Sequence, residues 1–129
     1  MAKLFIQLAA LNGLLAVVLG AFGAHALKAK ISADMLNTYQ TAVQYHFWHA
    51  LALLAVGILA YQLPSSKLLT GSGIAFAVGI VLFSGSLYVL ATTELRHLGP
   101  MPVGLITPIG GMCFIIGWLL LLISSAQLK

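Results

Sequence analysis

The sequence predicts an all-α membrane protein: one domain over residues 1–129, built as a bundle of four transmembrane helices with a short amphipathic helix between the first and second spans. Three observations predict it. Apolar residues make up 61% of the 129 residues and charged residues only 6%, whereas a soluble domain carries about 25% charged residues because its surface faces water. The charges also leave four gaps, 4–27, 35–66, 68–93 and 97–128, without a Lys, Arg, Asp or Glu. Each gap holds the ~20 apolar residues that cross a bilayer core of about 30 Å, and none holds two spans and a turn. Finally, the period-two alternation of a barrel strand is absent. Backbone groups in lipid are then satisfied within each segment, as helices.

The first span is placed near 4–26. Lys3, the apolar run and Ala24-His25-Ala26 also have the outline of a secretory signal. The run exceeds 20 residues, however, where a signal's apolar stretch is roughly 7–15, so it is read as a retained span. Between 28 and 42, Ser32 is a helix N-cap. Met35, Tyr39, Ala42, Val43 and His46 recur at helical spacing with Asp34, Asn37, Gln40 and Gln44 between them. This predicts an amphipathic helix on the membrane surface that bends into the second span, 43–62. Pro64-Ser65-Ser66 marks a turn, and the third span follows near 70–92. Gly99-Pro100 and Pro102 break the chain before the fourth, near 104–125. Pro108 frees a carbonyl near Gly104, which Thr107 is placed to help satisfy. Cys113, the single cysteine, reads as a small buried hydrophobe.

Six basic residues, Lys3, Lys28, Lys30, Lys67, Arg96 and Lys129, give a net charge of +4. They are scattered rather than clustered, which excludes a nucleic-acid footprint and suits anchoring at lipid headgroups. Four spans put both termini on one side. Lys3, Lys67 and Lys129 then oppose Lys28, Lys30 and Arg96, a tie under the positive-inside rule; the termini are taken as cytoplasmic.

Helices in lipid associate through close packing at small residues. Ala9, Gly13, Ala16, Gly20 and Gly23 fall on one face of the first span. Gly73, Gly79 and Gly85 in the third span and Gly104, Gly110, Gly111 and Gly117 in the fourth add further small positions. Gly13, Gly20, Gly23, Gly85 and Gly110 are the packing candidates.

Chemistry has one place to live. The first span ends at His25, the second opens with Gln44, Tyr45, His46 and His49, and the third ends at Glu94 before Arg96 and His97. Topology thus gathers the four histidines and both acids at one end of the bundle. The candidate polar cluster is His25, Tyr45, His46, His49, Tyr88, Glu94 and His97. His46 and His49 share a helix face, as do Glu94 and His97. Carboxylate-bridged metal centres need two Glu-x-x-His motifs and further glutamates, and this chain has one Glu. His25, His46 and His49 remain as candidate zinc or copper ligands. Haem is poorly supported, because His25 and His46 fall near span ends, and no cofactor is expected. The competing reading makes these residues, with Tyr39 and Trp48, an interfacial belt. His49 lies about a turn deeper and needs a hydrogen-bond partner, with Tyr88 or Gln44 as candidates.

Four strings complete the reading: Gly20-Ala21-Phe22-Gly23-Ala24-His25, Thr41-Ala42-Val43-Gln44-Tyr45-His46-Phe47-Trp48-His49-Ala50, Phe83-Ser84-Gly85-Ser86-Leu87-Tyr88 and Thr107-Pro108-Ile109-Gly110-Gly111. Together, across essentially the whole chain, they resemble the YgdD-like family of small bacterial inner-membrane proteins, which has animal relatives named as transmembrane proteins. The resemblance implies about four spans and an inner-membrane location. That family's function is unknown, so it carries over no catalytic or ligand residue.

The expected function is that of a structural or interaction protein, either a homo-oligomer or an accessory subunit of a larger membrane complex, with the lipid bilayer as its first partner. The alternatives are a small transporter or channel protomer, and a metal or quinone-type redox site at the histidine end. An enzymatic role is not favoured.

Overall fold

The structure, a computed structural model, describes residues 1–128. Four helical stretches are long and apolar enough to cross a membrane, namely Ala2–Leu27, Ala33–Gln62, Lys67–Thr92 and Val103–Gln127. The four spans expected from the charge gaps are therefore present. The first is α1 (Ala2–Phe22) extended by a π-helical turn over Gly23–Leu27. The second is α2 (Ala33–Gln62), 30 residues long. The third comprises α3 (Lys67–Gly79), a π-helical turn over Ile80–Ser84, and α4 (Gly85–Thr92). The fourth is α5 (Val103–Ser124) and a closing 3₁₀ turn.

One expectation is corrected. The amphipathic segment before residue 43 is not a separate surface helix; it forms the first turns of α2, which runs unbroken from Ala33. Ser32 caps it as expected, its side chain accepting from the Met35 N–H at 3.2 Å, and Asp34 in the first turn favours the positive end of the helix dipole. The apolar period is present, and its face turns inward, with Tyr39, Ala42 and His46 all buried. Ser66 caps α3 in the same way, accepting from the Leu69 N–H. Between α4 and α5 the chain makes a small hairpin, His97–Leu98 against Met101–Pro102. Gly99 takes a φ of +61° there, a left-handed conformation that glycine adopts without steric cost.

α2 is the central element, packed on α1 at one side and on the third span at the other, while α5 lies against the third span. The core holds Phe5, Leu53, Val56, Leu69, Phe76 and Phe114. Aromatic rings seat in glycine notches. A Cβ at Gly73 would lie 2.5 Å from the Phe5 ring, one at Gly79 2.5 Å from Phe114, and one at Gly117 2.6 Å from Phe76. This close approach is how helices gain packing energy where lipid supplies no hydrophobic drive.

The packing candidates divide. Gly110 meets the backbone of Phe83, Gly23 meets the Tyr39 ring, and a Cβ at Gly20 would lie 3.2 Å from Val43. Gly13 and Gly85 pack no helix within the protomer, because a Cβ at either would meet nothing within 4 Å there. The side of α1 away from α2 is apolar and exposed, with Leu11, Leu14, Leu15 and Val18 on it.

Candidate functional site

Two histidines stand inside the bundle. His46 and His49 are each 4% exposed and lie on the inward face of α2. Because α2 begins at Ala33, His46 is about 20 Å and His49 about 24 Å along a helix of about 45 Å, at 1.5 Å per residue. Both therefore lie near the middle of α2. The helix starts ten residues before the expected span start at 43, so His46 and His49 stand well inside α2 rather than at its end.

His46 sits between two other helices. Its Nε2 is 3.0 Å from Asn12 Oδ1 on α1, and its Nδ1 is 2.9 Å from the Tyr88 hydroxyl on α4. The partners fix the protons. Asn12 Nδ2 donates to the Leu8 carbonyl at 2.8 Å, which leaves Oδ1 to face the imidazole as an acceptor. Nε2–H therefore donates to Asn12, and Nδ1 accepts from the Tyr88 hydroxyl.

His49 is held in the opposite tautomer. Its Nδ1 is 2.7 Å from the Tyr45 carbonyl, which only accepts, so Nδ1 carries the proton. Its Nε2 accepts from Trp118 Nε1 at 3.1 Å. The ring lies flat against Phe114, 3.5 Å between centroids and 9° from parallel, with Tyr45 stacked on it at 5.8 Å. The sequence pointed to Tyr88 or Gln44 as partners of His49; instead Tyr88 serves His46, and the Tyr45 backbone and Trp118 serve His49.

Hydroxyls complete the set. Ser84, in the π-helical turn, donates to the Ala42 carbonyl at 2.8 Å, and Ser72 donates to the Gly117 carbonyl at 2.8 Å. Ser86 and Thr107 share a hydrogen bond of 2.6 Å between the third span and α5. Thr107 thus links two helices beside Pro108. Among the described residues, every buried side-chain N or O atom has a partner. An unpaired polar group in hydrocarbon is costly, so this closure holds the helices in register.

The other candidates stay apart. His25, Glu94 and His97 are exposed, His25 at the π-helical end of the first span and His97 in the hairpin. The Arg96 side chain donates to the carbonyls of Thr93 and Leu95. Among the described residues, no three His, Cys, Asp or Glu side chains are grouped to hold a metal ion. His25 in particular does not join His46 and His49.

Three contributors escaped the sequence reading. Asn12 is an amide in the middle of an apolar run, and that polarity was its signal. Trp118 and Phe114 carry no such signal, because they are unremarkable aromatics until α5 docks.

With the geometry in place, similarity adds context. A family described as "Protein of unknown function (DUF423)" matches residues 19–111. That stretch contains His46, His49 and Tyr88 but not Asn12, Phe114 or Trp118. Over 125 residues the chain is 47% identical to the UPF0382 membrane protein YwdK of Bacillus subtilis, covering 97% of this chain and 98% of the relative. It is 46% identical over 126 residues to the UPF0382 membrane protein SSP2132 of Staphylococcus saprophyticus, covering 98% of this chain and 99% of that one. No solved structure matches.

Proposed function

Since the chain belongs to the DUF423 family of membrane proteins of unknown function, we propose that it is a structural or interaction protein of the bacterial inner membrane, acting as a small homo-oligomer or as an accessory subunit of a larger complex. In this proposal both termini face the cytoplasm, and the YgdD-like kinship with its animal relatives extends the family. The observation that carries the reading is the pairing of the buried polar groups inside the bundle. Asn12, His46 and Tyr88 bond one another, and His49 is closed between Tyr45 and Trp118. A conducting pore needs polar groups aimed at a passage, whereas these are spent on joining helices. The pairing therefore favours a scaffold over a channel protomer.

The test is a stoichiometry measurement. The protein is crosslinked in native membranes, purified, and its mass and companions determined. The reading expects a defined homo-oligomer or a stoichiometric partner. A monomer that brings down no other protein contradicts it. A terminal reporter fusion that signals from outside the cell contradicts the assigned orientation.

A further inference from the structure

Along the lipid-facing seam of α1 and α2 runs a groove whose chemistry changes in order. Near the loop end it is lined by Gly23, Ala24, Tyr39 and Gln40 and holds about 240 Å³. Deeper it continues past Ala16, Val17, Phe47 and Trp48 with about 330 Å³. The two parts are contiguous, for Gly20, Val43 and Gln44 line both. The groove exists because Gly20 has no side chain: a Cβ there would already lie 3.2 Å from Val43. The Tyr39 hydroxyl is not available to an occupant, since it donates to the Leu19 carbonyl at 2.5 Å.

From the loop end inward the groove is lined by amide and then apolar groups, and the chain just beyond that end carries two cations. Beyond the groove lining, Lys28 stands four residues after Ala24, at the end of the π-helical turn, and Lys30 two residues further in the loop; both are exposed, and Asp34 is the acid that follows them. Gln40 and Gln44, one turn apart on α2 and both exposed, come next. Val17, Phe47 and Trp48 then form the deep wall. Gln40 to Trp48 covers about 12 Å of helix axis. An anionic phospholipid presents the complementary order along its own length, phosphate, ester carbonyls and acyl chain.

We propose that this groove is a binding site for one anionic diacyl phospholipid. Lys28 and Lys30 take its phosphate, the Gln40 and Gln44 amides donate to its ester carbonyls, and an acyl chain lies over Gly20 against Trp48. Charge complementarity at the mouth selects this occupant over a zwitterionic lipid, because a basic side chain near an anionic headgroup gains energy at close range. The site lies within one protomer, so it is independent of whether the protein assembles with copies or partners.

The test uses the full-length protein in detergent, titrated with phosphatidylglycerol or phosphatidylcholine of identical chains, with retained lipid read by native mass spectrometry. One phosphatidylglycerol per protomer is expected, preferred by roughly 10- to 30-fold, the scale set by two lysine contacts. Lys28→Gln with Lys30→Gln should bring that preference close to unity. Gln44→Leu should weaken retention of both lipids, and Gly20→Leu should abolish it. Gly20→Leu also tightens the α1–α2 contact, so the exposed-residue variants, checked by thermal melting, carry the decision. Equal retention of the two lipids, or an undiminished preference in the lysine double variant, overturns the proposal. So does a groove filled by a second copy, seen as a Gln44→Cys disulfide dimer that excludes lipid, or by an isoprenoid quinone that displaces it.

Discussion

The imidazole of His49 lies parallel to the ring of Phe114, 3.5 Å between centroids, near the middle of α2. This contact joins α2 to α5, two helices far apart in sequence, and it sets the Nε2 of His49 toward the Trp118 N–H. Aromatic faces and one indole donor thus fix both the position and the proton of the ring. The same aromatic group fills the notch at Gly79, so the stack and the helix packing depend on each other.

Trp118→Phe should keep that packing and remove one donor. The expected loss is about 0.6 kcal/mol and at most about 1.7 kcal/mol, the range for side-chain hydrogen bonds inside membranes. Phe114→Ala removes the stacked ring and should cost about 3–5 kcal/mol, as for other buried aromatics. Unfolding equilibria in mixed micelles check both; a Trp118→Phe loss equal to that of Phe114→Ala would contradict the division.

Asn12, His46 and Tyr88 should behave as a unit. Asn12→Leu or His46→Phe alone strands a polar partner, whereas the double variant removes both ends of one bond. Its loss should be smaller than the sum of the single losses by about 0.5–1.5 kcal/mol. Strict additivity in this cycle would show that the two side chains do not interact.

The glycines offer a sharper contrast. Gly110→Ala drives a methyl into the backbone around Phe83 and should destabilise by about 1–3 kcal/mol, because backbone cannot move aside cheaply. Gly13→Ala and Gly85→Ala meet open space and should be neutral or stabilising by about 0.5–1 kcal/mol through better helix propensity. Thermal melts of the three variants read the order directly; a destabilised Gly13→Ala in the dispersed protomer would be the wrong sign.

His25→Ala, Glu94→Ala and His97→Ala should each leave stability within about 0.5 kcal/mol, since all three side chains are exposed. A large loss for His25→Ala, together with loss of a bound metal in elemental analysis, would restore the metal reading of the histidine end.

Much of this architecture is legible in the sequence, for a physical reason. A span must be apolar over about 20 residues, so charges such as Asp34 and Glu94 mark where spans cannot be. The caps Ser32 and Ser66 are legible because only a few side chains satisfy a helix start. The start of α2 is hidden in the sequence because Asn37, Gln40 and Gln44 look interfacial, while the opposite face of the same helix is buried among α1 and α4. The partners of the histidines were hidden for a different reason. Spacing along one helix shows which residues share a face, but not which helix that face meets. Nothing local to His49 names Trp118, 69 positions away. Gly13 shows the converse: its spacing matches the packed face of α1, yet α2 does not reach it.

His46 and His49 are locked by partners inside the protomer, in opposite tautomers. Nitrogen-15 NMR of histidine-labelled protein in lipid bilayers, assigned with His46→Phe and His49→Phe, tests it most directly. The account predicts two sharp neutral rings, His46 protonated at Nε2 and His49 at Nδ1, with the His46 signals moved by Tyr88→Phe and the His49 signals moved by Trp118→Phe. Rings averaging between tautomers, or both carrying the proton on the same nitrogen, would contradict it.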